Sequence, residues 1–325
     1  MIKISTQLKP VVDAHIHGMD FANMKPANLY EPMAYILSLK GKRIRPILTM
    51  LAYEAVSGGV PERALNLGTA IELFHNFTLM HDDIMDRAPV RRGMPSVHVK
   101  WNEDVAILSG DALFAFSMGL VIKDFPEKAA PLTLEFSKVS MEVCEGQMED
   151  MDLATCQEVA IPVYVEMIRK KTAALLGGCM SMGAMAAGAS DEIVDKFRQY
   201  GESLGIAFQL QDDLMDAFPP EGFGKQVGGD IIENKKTYLV LKAKELATVG
   251  QQTELDHWFT TNDVNPEEKV QAVLEIFKHT KVKAHTQELI KEYFDKAVRL
   301  GEELSQETNF GSVKSYLEEI AKRKL

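Results

Sequence analysis

Residues Phe74–Gly93 read FHNFTLMHDDIMDRAPVRRG. Apolar side chains recur at three- and four-residue spacing from Pro61 to Met80, the period of one helix face. The run ends in D-D-x-M-D, then in Ala88-Pro89, where proline stops a helix, then in Arg91-Arg92. A second copy, QDDLMDAFPPEGFGK from Gln211, lies 130 residues on with the same order of parts: apolar run, acidic cluster, proline break, basic loop.

The same period dominates the rest of the chain. It predicts helices over Leu29–Leu39, Val105–Ile122, Ala130–Asp150, Ala160–Ser190, Asp191–Ala217, Thr237–Val249, Pro266–Phe277, His285–Glu302 and Val313–Lys322. Alternating strands are not evident, and no Pro-, Gly- or Ser-rich linker divides the sequence. The expectation is an all-α fold: one domain over residues 1–325, a bundle of ten or more helices, with 1–27 as a lead-in.

The chain has 325 residues, 46% of them hydrophobic, and a formal net charge of −11, which argues against a nucleic-acid binder. Basic residues nevertheless cluster at Lys40, Lys42, Arg43 and Arg45 and at Arg91-Arg92, suggesting a small anionic ligand. Cys144, Cys156 and Cys179 lack metal-ligand spacing and read as reduced thiols of a cytoplasmic protein. The opening MIKISTQLKP carries no apolar core of a signal peptide. Thr172–Ser190 is uncharged but glycine-rich, so a buried helix is expected rather than stable membrane insertion, the rival reading.

Asp82 and Asp86 are four apart, so one helix face carries both carboxylates, with Asp83 beside them; Asp212, Asp216 and Asp213 repeat this. Carboxylates packed so closely repel unless cations neutralise them. All-oxygen clusters suit Mg²⁺, which shares its shell with water and phosphate. Lys42, Arg43, Arg45, Arg91, Arg92, Lys225 in the glycine-rich FGKQVGGD, Lys235 and Lys236 match phosphate oxygens. Together these imply one or two diphosphates. No GxxxxGK[ST] loop is present, and Phe74, Phe77 and Phe208 would wall a pocket for an apolar tail.

E-x-x-H-x-x-x-L-x-H-D-D-x-x-D (Glu72–Asp86), RRG, GKRIRP and FQLQDDLMD resemble the trans-isoprenyl diphosphate synthases, short-chain geranylgeranyl and farnesyl types, from about Tyr30 onward. The resemblance implies a usually homodimeric helical enzyme with a central cavity, joining isopentenyl diphosphate to an allylic diphosphate with three Mg²⁺ when substrate is bound. Carried over, Asp82 and Asp86 would ligate Mg²⁺ directly with Asp83 in support. Asp212 would do so from the second motif, with Asp213 and Asp216 acting partly through water. Lys42, Arg45, His75 and Arg92 would hold isopentenyl diphosphate, and Arg91, Lys171, Lys225 and Lys235 the allylic diphosphate. Thr172 and Gln209 would place oxygens near the allylic cation. The usual G-K-x-T stands here as Asn234-Lys235-Lys236-Thr237.

Phe77, five residues before Asp82, and Phe74 would form the floor that stops chain growth; an aromatic there with small Thr78 at the fourth position resembles archaeal-type geranylgeranyl synthases, which favours a C20 product over C15. A methylene is worth only about 0.8 kcal/mol of burial, so steric exclusion must set the length. Terpene cyclases share the fold but have no second substrate for Lys42, Arg45 and Arg92; a regulatory subunit of a heteromeric synthase is the non-enzymatic alternative. His81 reads as structural, and His75 has a core-histidine alternative. VVDAHIHG, with His15 and His17, superficially resembles the metal-binding strand of amidohydrolase barrels, but the strands of a barrel are missing from the pattern.

Overall fold

The computed structural model describes residues 4–156, 158–219, 227–261 and 264–324. The helices are α1 (Ile4–His17), α2 (Ala27–Ser38), α3 (Ile44–Ser57), α4 (Leu65–Met85), α5 (Val97–Lys100), α6 (Glu103–Val121), α7 (Ala129–Thr155) and α8 (Ile161–Ile168). They continue as α9 (Ala174–Ala187), α10 (Asp191–Ala217), α11 (Gly229–Ile232), α12 (Tyr238–Leu246), α13 (Val249–Thr260), α14 (Pro266–His279), α15 (Val282–Glu307) and α16 (Gly311–Lys324). Among the described residues the only strands are β1 (Val90–Arg91) and β2 (Met94–Pro95), an antiparallel pair. The fold is all-α, as the periodicity predicts.

Helix ends follow local chemistry. Asn265 caps α14 through Oδ1, Pro266 opens it, and Lys278 and His279 sit in its last turn, where cations favour the helix dipole. A capping box of Thr248 and Gln251 starts α13, so the helix expected over Thr237–Val249 ends at Leu246 and a new one begins. The helix expected over Ala160–Ser190 is interrupted by a π-helical turn at Arg169–Ala173. The lead-in contains a helix, α1, whose Leu8, Val12 and Ile16 are buried. It carries the H-x-H, and His15 Nε2 lies 3.1 Å from Asn66 Oδ1 on α4. A barrel strand is therefore ruled out for this segment.

Contacts divide the chain into two compact units, one of residues 1–137, 178–198 and 301–325, the other of residues 138–177 and 199–300. In the first, α3, α4 and α6 supply much of the core, with Ile47, Leu48, Met50, Leu67, Leu73 and Leu113 fully buried. In the second, Tyr164, Met167, Leu210, Leu214, Val273 and Phe277 belong to one hydrophobic cluster. Most of Ala174–Ala187 is buried, in keeping with a core helix rather than a membrane span. Among the described residues one helix, α6, has the length and apolarity to cross a membrane; it packs on α4, with Gly110 against His81, and buries Ala106 and Leu113.

Arg43 ties the first unit together. Its Nη1 donates to Glu72 Oε1 at 2.7 Å, its Nε to Asp13 Oδ1 at 2.8 Å, and its Nη2 to the Leu37 carbonyl at 2.6 Å. The guanidinium thus joins α1, the end of α2, the start of α3 and α4. Sequence reasoning grouped Arg43 with the phosphate-binding residues; burial among these partners makes it a structural one. Removing one partner of a buried pair strands the other charge and costs about 3–5 kcal/mol. Denaturant titration of Arg43→Met is expected to show such a loss, and Arg43→Met with Glu72→Met a smaller one.

Candidate active site

Asp82 and Asp86 stand at the C-terminal end of α4, and Asp212 and Asp216 at the C-terminal end of α10. Carboxylates there oppose the helix dipole and lower stability, so both clusters read as sites for cations. Within the first cluster the three aspartates diverge. Asp86 is exposed, Asp82 is partly exposed, and Asp83 is buried. Arg91 Nε lies 3.0 and 3.1 Å from the two Asp83 oxygens, and its Nη2 lies 2.5 Å from Oδ1.

The β1–β2 hairpin explains why RRG follows the motif. Arg92 and Gly93 both have positive φ, 53° and 79°, as the two central residues of a type I′ turn require. Arg91, before the turn, faces Asp83, while Arg92 Nη1 reaches 3.4 Å from the Leu39 carbonyl. Arg45 Nη1 lies 3.2 Å from His75 Nε2, and Arg45 Nε is buried without a hydrogen-bond partner. Burial, then the charges of Arg45, Arg92, Arg91 and Arg43, hold the His75 pKa well below the ordinary histidine range. His75 is therefore neutral and accepts from Arg45 through Nε2. Arg45, His75 and Arg92 form one basic constellation, beside exposed Lys42, suited to a polyanion.

Phe74 and Phe77 do not stand alone. Their ring centroids are 5.5 Å apart, and Phe114 lies 5.9 Å from Phe74 and 5.4 Å from Phe77. Phe136 meets Phe74 edge-on at 5.4 Å. His81 packs where α6 has Gly110, whose absent side chain leaves room for the ring; its Nε2 lies 3.1 Å from the Ile107 carbonyl.

In the second unit a hydrogen-bonded chain runs from Thr172 to Tyr164. Thr172 Oγ1 donates to Gln209 Oε1 at 3.0 Å, Gln209 Nε2 donates to Asp213 Oδ1 at 3.0 Å, and the Tyr164 hydroxyl donates to Asp213 Oδ2. Burial, reinforced by Asp230 and Asp212, pushes the Asp213 carboxyl up to about 7 despite the bonds from Tyr164 and Gln209. Asp216 accepts from the Gly229 and Asp230 amides at 3.1 and 3.0 Å, capping α11. Lys171 pairs with Asp150; the π turn that holds Lys171 and Thr172 packs on Gly146, where a Cβ would meet the Lys171 backbone nitrogen at 2.2 Å. Lys235 pairs with Glu233 at 2.9 Å and Asp230 at 3.4 Å. Tyr164, Lys171, Thr172, Gln209, Asp213, Asp230 and Lys235 line a cavity of about 130 Å³. Phe208 instead packs edge-on against Phe294, 6.0 Å away, and Lys225 lies outside the described residues.

Sequence reasoning missed Tyr164, Asp150, Phe114 and Phe136, whose contacts come from other helices. The donor chemistry fits Mg²⁺, since both motifs offer hard carboxylate oxygens. Among the described residues no group of three or more His, Cys, Asp or Glu is gathered closely enough to hold a metal ion by itself.

Residues 26–277 match the polyprenyl synthetase family model. The chain is 43% identical over 224 residues to a geranylgeranyl diphosphate synthase of Methanosarcina mazei, covering 68% of this chain and 69% of that protein. It is 34% identical over 302 residues to a geranylgeranyl diphosphate synthase of Sulfolobus acidocaldarius, with 91% of each covered. A crystal structure of geranylgeranyl pyrophosphate synthase superimposes with a TM-score of 0.88 at 41% identity, covering 94% of both chains.

A depressed His75 pKa has a consequence for stability. Between the folded pKa and about 6.5, the unfolded chain binds more protons, so the contribution is complete above about pH 6.5 and is lost as pH falls through that window. Thermal melts from pH 7.5 to 5 are expected to show a shallower acid decline for His75→Gln than for the native chain.

Proposed function

The chain belongs to the polyprenyl synthetase family, and from that premise we propose that it is a trans-prenyltransferase joining isopentenyl diphosphate head to tail with an allylic diphosphate to give a C20 prenyl diphosphate. The reading rests on one observation: besides its two aspartate clusters the chain carries the Arg45–His75–Arg92 constellation, which would hold a second diphosphate. A cyclase with a single substrate has no use for that constellation. A regulatory subunit has no need of both clusters.

The allylic carbon–oxygen bond breaks with its electron pair leaving on the diphosphate. Lys171, Lys235 and Lys225 hold that growing charge, while Lys42, Arg45 and Arg92 fix the diphosphate of isopentenyl diphosphate. Arg91, kept in place by Asp83, adds positive charge beside the first motif. His75, neutral, orients Arg45. The oxygens of Thr172 and Gln209, fixed by their mutual bond and by Asp213, lie where they stabilise the cation. The alkene of the isopentenyl unit supplies the electrons of the new carbon–carbon bond, and a proton then leaves to the released diphosphate. Mg²⁺ held by Asp82, Asp86 and Asp212, with Asp83, Asp213 and Asp216 in support, would supply the charge that makes the diphosphate a good leaving group. Three such ions per site belong to this reading.

Growth stops at the aromatic cluster, where Phe77 and Phe114 are half-buried and Phe74 and Phe136 are buried behind them. Single-domain behaviour, a homodimer and a cytoplasmic location complete the reading. Exposed Ile107 and Leu108 on α6 and Leu134 on α7 support a self-association face, and among the described residues the cysteines form no disulfide.

Incubation with Mg²⁺, labelled isopentenyl diphosphate and C5, C10 or C15 allylic diphosphates is expected to give a ladder ending at C20. Hydrocarbon released from an allylic diphosphate alone, without condensation, would replace this reading with a cyclase. Asp82→Ala or Asp212→Ala is expected to lower kcat on the order of 10³-fold, about 4 kcal/mol of barrier. Phe77→Ala is expected to lengthen the product by one unit or more on chromatography. Leu108→Glu with Leu134→Glu is expected to halve the mass seen by light scattering.

A further inference from the structure

The geometry points to Lys269, remote in sequence from either motif, as a positioning residue that sets the Asn234–Thr237 turn and through it Lys235. The inference rests on the reading above, in which Lys235 holds a diphosphate.

Lys269 is a buried cation. Its side chain lies in the first turn of α14 and only 2% of the residue is exposed. Lysine is almost never buried so completely without a partner that repays the lost hydration. Among the described residues no carboxylate pairs with its ammonium; Nζ donates to Asn234 Oδ1 and lies 5.0 Å from the centroid of the Phe259 ring. A neutral amide oxygen and a ring face are weak compensation for a buried charge, and burial pulls the Lys269 pKa down. Tertiary structure retains this arrangement at a cost to stability.

What the arrangement holds is a backbone that resists ordinary residues. Asn234 has φ 60°, in the left-handed region where glycine is at ease and a side chain is tolerated chiefly in asparagine and aspartate. Its amide donates to the Ile231 carbonyl at 3.2 Å, and the Lys235 amide to the Asp230 carbonyl at 2.9 Å, closing α11. The next side chain is Lys235, on the cavity that also contains Asp213 and Thr172. At the other end of the same short segment Asp216 caps α11, and Gly228, φ 75°, lies where a Cβ would meet Val270 of α14 at 2.9 Å. Asp216 and α14 thus clamp the segment at its start, and Lys269 clamps its end. Where the sequence pattern calls for a glycine, this chain has an asparagine whose side chain is held by a lysine from α14. The pair replaces the conformational freedom of glycine with a tether.

The test is a double-mutant cycle read by two measurements. Binding of inorganic pyrophosphate with Mg²⁺ is followed by calorimetry, and steady-state constants are taken for each substrate. Lys269→Met is expected to weaken pyrophosphate binding and raise KM for the allylic diphosphate about tenfold, with kcat and KM for isopentenyl diphosphate changed less than twofold. Asn234→Gly, which strands the ammonium, is expected to act in the same direction. The double variant, with a glycine in the left-handed position and an apolar chain on Phe259, is expected to return within threefold of the native values. If Lys269→Met does not fold, Asn234→Gly and the double variant carry the comparison. Three outcomes would overturn the inference: native pyrophosphate affinity in the single variants, losses shared equally by both substrates, or a double variant no better than the singles. Failure of the native chain to condense would sink the proposed reaction alone, because the pyrophosphate arm still reads the tether.

Discussion

Arg43 has to be solvated by protein, because its guanidinium sits where water scarcely reaches. The chain meets that demand with carboxylates from α1 and α4 and a carbonyl from the end of α2. The consequence is architectural. Helices whose residues are up to sixty positions apart must arrive together, since any one missing leaves a charge buried and unpaired. Flanking residues inherit the placement: Lys42 is exposed just before it, and Arg45 meets His75 just after. The histidine is kept neutral by the surrounding arginines, so it serves as an acceptor and spends none of their positive charge. Glu72, one turn from His75 on α4, balances that charge from below. Structure and electrostatics in this unit are one network.

The second unit solves a comparable problem with neutral groups. Asp213 is buried, and Tyr164 and Gln209 share its two oxygens. Asp216 spends both oxygens on backbone amides, and only Asp212 of that motif is exposed. In the first motif, then, one carboxylate, Asp83, is built into the structure, and in the second two are, Asp213 and Asp216. D-D-x-M-D thus combines carboxylates held by protein partners with carboxylates open to solvent.

Much of this was legible in the sequence where the pattern is one-sided. The helices bearing the aspartates alternate between core and exposed faces at the helical period, and their ends are marked by proline. Ile44–Ser57 escaped because Pro46 through Ala52 are all buried, leaving no polar face to reveal the period. The break between α12 and α13 did have a local signal, Thr248-x-x-Gln251, which the longer apolar pattern masked. Arg43 and Arg45 differ by two positions and by everything else. Nothing in one dimension marks Arg43 as the buried strut and Arg45 as the partner of His75, because the difference is made by Asp13 and Glu72. Tyr164, Phe114 and Phe136 were invisible for the same reason, each acting through a helix remote in sequence.

The π turn at Arg169–Ala173 has a consequence for how this surface could have arisen. Along a regular α-helix, residues eight apart stand about 80° out of phase, since each adds about 100° of rotation. Tyr164 and Thr172 are eight apart, yet both direct hydroxyls to the network on α10. The widened turn absorbs most of one residue of winding and so brings the two positions onto nearly one bearing. A single codon gained within an older, regular helix is enough to produce that change of phase, and it would leave the packing on either side in register. One added residue would thus alter what faces the cavity without redrawing the fold around it.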